Sequence, residues 1–98
     1  MIYKTPYGTY NVNIIKTNYS TNNNLAIILN NDREGQVAVL TTNLDIPLKE
    51  EYGFVDTNNN PTAEEFIKEN QLGEFTGAYQ QSGYCTYPLY KFNLEKLK

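Results

Sequence analysis

The run Leu25-Ala26-Ile27-Ile28-Leu29 is apolar throughout and too short for a buried helix, so it predicts a strand. Asn30 to Gly35 follows as a string of turn formers. Gln36 to Thr42 then sets Val37, Val39 and Thr41 on one parity against Ala38, Leu40 and Thr42 on the other. Two strands joined by a polar loop that ends in Gly predict a β-hairpin, with Leu25–Leu29 and Gln36–Leu40 at the centre of a sheet. This hairpin commits the chain to an antiparallel sheet that other elements must cover.

The flanks supply those elements. Pro6-Tyr7-Gly8 reads as a turn, and Tyr10, Val12 and Ile14 alternate within a strand over Tyr7–Lys16. Asn18 to Asn24 is a polar loop, and the Asn22–Asn24 and Asn58–Asn60 runs read as compositional habit. Pro47 excludes a central strand at Leu44–Leu48, and a short strand is expected around Phe54. One helix follows. Thr62 and Glu65 have capping-box spacing, and Ala63, Phe66 and Ile67 fall on one apolar stripe. Gly73 reads as its C′ residue. Glu74 to Tyr84 looks like a loop, since Gly77, Ser82 and Gly83 break any period. Tyr84 to Leu94 alternates again, with Pro88 demanding an edge or a bulge. Asn93 to Lys98 suits one helical turn. The expected fold is α+β: one domain over residues 1–98, a small antiparallel sheet of three to five strands, and one short helix packed on it.

Residue content excludes several chemistries. With no His and only Cys85, there is no His-based triad, no His-ligated zinc site and no intramolecular disulfide. No apolar run approaches the ~20 residues that span a bilayer, and the N-terminus lacks signal-peptide regions, so the cytoplasm is the expected setting. No Gly-rich phosphate loop or nucleophile elbow is present. Cys85 reads as a structural thiol, and Glu64 and Glu65 do not face each other on a helix. Neither a cofactor nor a metal is expected, and the chain is read as non-enzymatic.

Charge is uneven. From Asp45 to Glu74 eight acids stand against two bases, while the remainder carries three acids and six bases. An acidic middle is unsuited to gripping nucleic acid and suits a partner with a basic surface; it also reads as a solvated helix face. The partner-binding candidates are Glu64, Glu69 and Glu74, with Tyr79 exposed in the loop. Tyr84 and Phe92 are expected in the core. The alternative is a small-ligand site, for a nucleotide signal, using Asp56, Asn58 and Asn59 ahead of the helix with Thr76 and Ser82.

From Phe54 onward the chain resembles a known family. Phe54-Val55-Asp56-Thr57-Asn58-Asn59, Pro61, Glu65-Phe66-Ile67, Leu72-Gly73, Thr76-Gly77, Ser82-Gly83-Tyr84 and Thr86-Tyr87-Pro88-Leu89-Tyr90 carry the likeness. The family is a domain of unknown function found in small proteins of conjugative transposons and phages of gram-positive bacteria. Thr62 departs from the large aromatic that often follows the Pro, and the first half is similar only in its strands and Asn43-Leu44. The family implies a setting rather than an activity: accessory cargo of a mobile element. By analogy the expected function is inhibition of a host defence effector, of anti-CRISPR or anti-restriction type, by protein–protein contact. An accessory role in conjugation is a further alternative.

Overall fold

The computed structural model describes residues 1–98. In chain order the elements are β1 (Ile2–Thr5), β2 (Gly8–Asn11), β3 (Asn13–Asn18), β4 (Leu25–Asn31), β5 (Gly35–Val39), β6 (Thr41–Thr42), β7 (Tyr52–Val55), α1 (Ala63–Glu69), β8 (Gly73–Ser82) and β9 (Cys85–Phe92). A single 3-10 turn at Leu94–Leu97 closes the chain. The strands form three antiparallel sheets, ordered β1-β2, β3-β4-β5 and β6-β7-β9-β8.

This corrects the expected fold. In place of one sheet of three to five strands there are nine strands in three sheets, and the chain is mostly β. The reason lies in single residues that leave the ladders. Val12 separates β2 from β3, so the expected Tyr7–Lys16 strand is broken; its side chain is buried and its N–H bonds the Met1 carbonyl. Leu40 separates β5 from β6. Its N–H bonds Ile27 O at 2.9 Å and its carbonyl accepts from Asp56 N at 2.7 Å. Leu40 thereby stitches the middle sheet to the four-stranded one. Alternation continues across both residues, so a period-2 pattern does not reveal the breaks.

The expected hairpin is present as β4 and β5, but only β4 is central; β5, expected beside it at the sheet centre, is an edge strand of its three-stranded sheet. Leu25, Ile27 and Leu29 point into a core shared with Leu40, Val55, Phe92 and the buried face of α1. That face is Ala63, Phe66 and Ile67, as the stripe predicts, and Phe66 meets Tyr3 edge to face at 5.3 Å.

Both expected helix caps are corrected. Thr62 is the N-cap but makes no capping bond; its hydroxyl donates to Lys4 O at 2.6 Å and ties the helix start to β1. The left-handed residue after the helix is Gln71 (φ 55°), not Gly73. Gly73 opens β8, where an added Cβ would lie 2.7 Å from Lys91 O.

The asparagine runs are structural. Asn24, buried, donates to Ile46 O at 2.8 Å and accepts from Leu48 N, while Asn22 and Asn43 bond each other beside it. Together they pin the Pro47 segment to the β3–β4 loop. Asn60, also buried, donates to Val39 O at 2.7 Å. No helix is long and apolar enough to cross a membrane.

Candidate interaction surface

β8 and β9 pair from Gly73 opposite Phe92 to Ser82 opposite Cys85, whereas β7 pairs with β9 only at Leu89–Lys91. Past Leu89 the two strands continue as a ribbon with no further strand on either edge. Every residue from Glu74 to Tyr84 is exposed. The loop expected at Glu74–Tyr84 is therefore mostly strand, and Tyr79 is 62% exposed within it.

Local chemistry explains the ribbon. Gly83 (φ 62°) takes the first central position of a two-residue turn, as a type II′ hairpin requires. Pro88 has no N–H to offer a neighbour, and the pairing of β7 with β9 stops at Leu89, one residue short of it. A bulge sets Phe75–Tyr79 of β8 against only Tyr90–Pro88 of β9, with Gly77 at φ 90°. The Thr76 hydroxyl ties this bulge, donating to Leu89 O at 2.9 Å and accepting from Ala78 N at 3.2 Å. Because the bulge adds an even number of residues, Phe75 and Tyr79 stay on one face.

That face carries an aromatic ladder. Phe92 and Tyr90 lie 6.0 Å apart, Tyr90 and Phe75 5.8 Å, and Phe75 and Tyr79 5.1 Å. Exposure climbs along it, from 3% at Phe92 and 6% at Tyr90 to 40% at Phe75 and 62% at Tyr79. Helix α1 borders the ladder: the Tyr90 hydroxyl donates to Glu64 Oε2 at 2.5 Å. Burial, then this bond and the Glu64 charge, push the Tyr90 hydroxyl well above the ordinary tyrosine value. A shallow groove of about 930 Å³ runs from Phe75 and Tyr90 past Lys68, Gln71 and Glu74 to Leu94 and Glu95.

The structure separates the three candidate acids. Glu64 faces Tyr90. Glu69 lies with Glu65 on the other flank of α1, beside Ile2 and Lys4. Glu74 sits on β8 opposite Lys91. Of the partner-binding candidates, only Glu64 and Tyr79 border the ladder. Tyr84, expected in the core, is fully exposed at the ribbon turn, because the alternation that includes it starts one residue too early; Phe92 is buried as expected.

The ligand candidates make local bonds. Asp56 accepts from Asn59 N at 3.2 Å and from Asn59 Nδ2 at 2.9 Å, which closes the turn before α1. Asn58 is exposed, Thr76 is held in the bulge, and Ser82 closes the ribbon turn. Asn59 lines a cavity of about 390 Å³ with Tyr3, Tyr7, Tyr10 and Thr62; Thr76 and Ser82 do not line it. Cys85 is half-buried, and the neighbouring thiol is the leading cause that raises the Tyr87 hydroxyl above the ordinary tyrosine value. Sequence reasoning passed over Phe75. Its signal was the absence of any charged side chain from Phe75 through Tyr90.

A family model described as a domain of unknown function (DUF4313) matches residues 13–98. The match takes in β3 to β6 as well as the second half that carried the resemblance. No curated protein and no solved structure matches the chain.

Proposed function

The chain belongs to the DUF4313 family, and for it we propose a non-enzymatic binding protein that uses the β8–β9 ribbon and the aromatic ladder as its contact surface. One observation carries this reading. From Phe75 through Tyr90 no side chain is charged, yet Phe75, Tyr79 and Tyr84 are exposed. Exposed apolar area on a projecting element favours contact with another macromolecule, and tyrosine supplies rigid area at low entropic cost. Glu64 at its border suits a partner with basic side chains.

The mobile-element likeness of the sequence supplies the setting. In that setting the partner is a host defence effector in the cytoplasm, and the contact inhibits it, in the manner of an anti-CRISPR or anti-restriction protein. A conjugation accessory would use the same surface on a different target. The small-ligand reading gains no comparable support, because Asp56 and Asn59 bond each other.

The test is capture of host proteins by the wild-type chain and by a Tyr79→Ser, Tyr84→Ser double variant, followed by an activity assay of what is captured. The reading expects a nuclease or other defence effector whose activity falls in proportion to added chain, with the double variant defective in both steps. Equal capture by the double variant, or capture with no loss of effector activity, would sink it.

A further inference from the structure

The cavity of about 390 Å³ beside Asn59 lies between the β1–β2 hairpin, the start of β5 and the loop that leads into α1. That volume is ordinary for a small-molecule site. Three tyrosines line it. Tyr3 and Tyr10 stand opposite each other in the hairpin and so share one face. Both are anchored: Tyr3 is buried with its ring edge-on to Phe66, and Tyr10 is half-buried against the core. Tyr7, at the hairpin turn, is 93% exposed and supports little of the fold. Its ring has apolar area still to bury, and it stands at the rim of a cavity.

The charge of the lining has one sign. Glu34 lines the cavity, and no Lys or Arg does. Asp56 is near enough to act on Tyr3: burial leads the causes that raise the Tyr3 hydroxyl, and the Asp56 charge adds to it. Neither carboxylate has a basic partner, since the one ion pair of the chain joins Lys98 to Glu95. Lys4 stands on the other face of β1. The polar side chains of the lining have already spent donors within the protein. The hydroxyls of Thr5 and Thr62 donate to Gly8 O and Lys4 O, and the amides of Asn59 and Asn60 donate to Asp56 and Val39 O.

We propose that this cavity binds an N-methylated ammonium group, with Tyr3, Tyr7 and Tyr10 as its aromatic walls and Glu34 as its counter-charge. Aromatic faces carry negative potential and attract a cation without needing a hydrogen bond from it. A quaternary ammonium has no N–H to leave unpaired among such walls. The same features turn other ligands away. A phosphate or carboxylate would meet Glu34 and Asp56 with no cation to offset them, so a nucleotide does not suit the cavity. A bare metal ion does not suit it either, because no three His, Cys, Asp or Glu side chains gather to hold one. The cavity shares no residue with the β8–β9 ribbon, so the site goes beyond the partner-binding reading and does not depend on it.

Titration of the full chain with choline at constant ionic strength, followed by amide and ring NMR shifts, tests the site. Binding should saturate and should move the signals of Tyr3, Tyr7, Tyr10 and Ala38, while sodium chloride should not. The neutral isostere of choline, with carbon in place of nitrogen, keeps the shape and drops the charge. It should bind roughly 2- to 30-fold more weakly, the range of a cation–π contact. Tyr7→Ala should weaken choline binding to a similar degree without disturbing the fold, because Tyr7 is exposed, and Tyr7→Phe should retain it. Glu34→Gln should weaken binding and Glu34→Lys should abolish it. No saturable shift with choline, equal affinity for the neutral isostere, or a Tyr7→Ala variant that binds as the wild type does overturns the proposal. A trimethyl-lysine peptide that binds more tightly than choline assigns the ammonium to a protein side chain, and the reverse order assigns it to a free small molecule; the site stands in both cases. The Tyr79→Ser, Tyr84→Ser variant should bind choline as the wild type does, so either reading can fail alone.

Discussion

Tyr90 donates its hydroxyl proton to Glu64 across 26 residues of sequence, and this bond fastens the first turn of α1 to β9. It also holds the inner rung of the aromatic ladder in place. Glu64 is therefore part of the frame of the candidate surface as well as part of its border charge.

Stability should fall at alkaline pH. Tyr90 and the buried Tyr3 both have hydroxyls raised above the ordinary tyrosine value, each with burial as the leading cause. A raised folded value favours the protonated form in the native state. Its contribution is complete below the unfolded value of about 10 and is lost as pH rises through the folded value. Urea melts of the wild type and Tyr90→Phe, taken from neutral pH upward, should show a shallower alkaline decline in the variant. Identical slopes would contradict the environment described for Tyr90.

Phe66→Ala should cost roughly 3–5 kcal/mol, most of the stability of a small domain. Phe66 is 3% exposed and packs on Tyr3, so truncation opens a cavity between α1 and β1. A denaturant melt showing a loss below about 1 kcal/mol would count against this packing.

Gly73→Ala should destabilise by roughly 1–3 kcal/mol, because the new methyl meets the backbone of β9 rather than a side chain able to swing aside. Gln71→Gly should have the opposite sign, by about 0.5–1 kcal/mol, since it relieves a left-handed backbone. Thermal melts of the pair check both; a Gly73→Ala variant as stable as the wild type would refute the close approach.

Thr62→Val should cost about 1 kcal/mol through the lost bond to Lys4, while Glu65→Ala should stay within about 0.5 kcal/mol. A capping box would make Glu65 the more sensitive of the two. Chemical melts of both variants separate these outcomes.

Elements held by short-range pattern were legible in the sequence. The β4–β5 hairpin, the buried stripe of α1 and the closing turn all follow from spacing within a few residues. β1 was not legible: it has four residues, and Thr62 helps to anchor its neighbourhood from far along the chain. β8 was misread because both of its faces are exposed from Glu74 to Ser82, so no buried face imposes an apolar alternation, and Gly77 belongs to a bulge rather than to a loop. Gly73 was given a helix-ending role because a glycine needed for backbone proximity looks the same in sequence as one needed for φ. The candidate surface was half visible. Tyr79 and the flanking acids stood out, but the ladder depends on cross-strand neighbours, and sequence spacing does not show those. The asparagines were undervalued for a related reason: Asn24 earns its place through Ile46 and Leu48, residues on another loop.

The ribbon past Leu89 rests on its own cross-strand bonds and its own turn, with scarcely any of its side chains in the core. Substitutions at Tyr79, Thr86 or Tyr84 are thus screened mainly by what the tip must recognise and only weakly by whether the rest of the chain folds. Such an arm can change its specificity quickly. If the opposing surface drifts, the tip can follow it over successive generations while the core sequence stays fixed, so variation among relatives should concentrate at the tip and thin out toward Phe92.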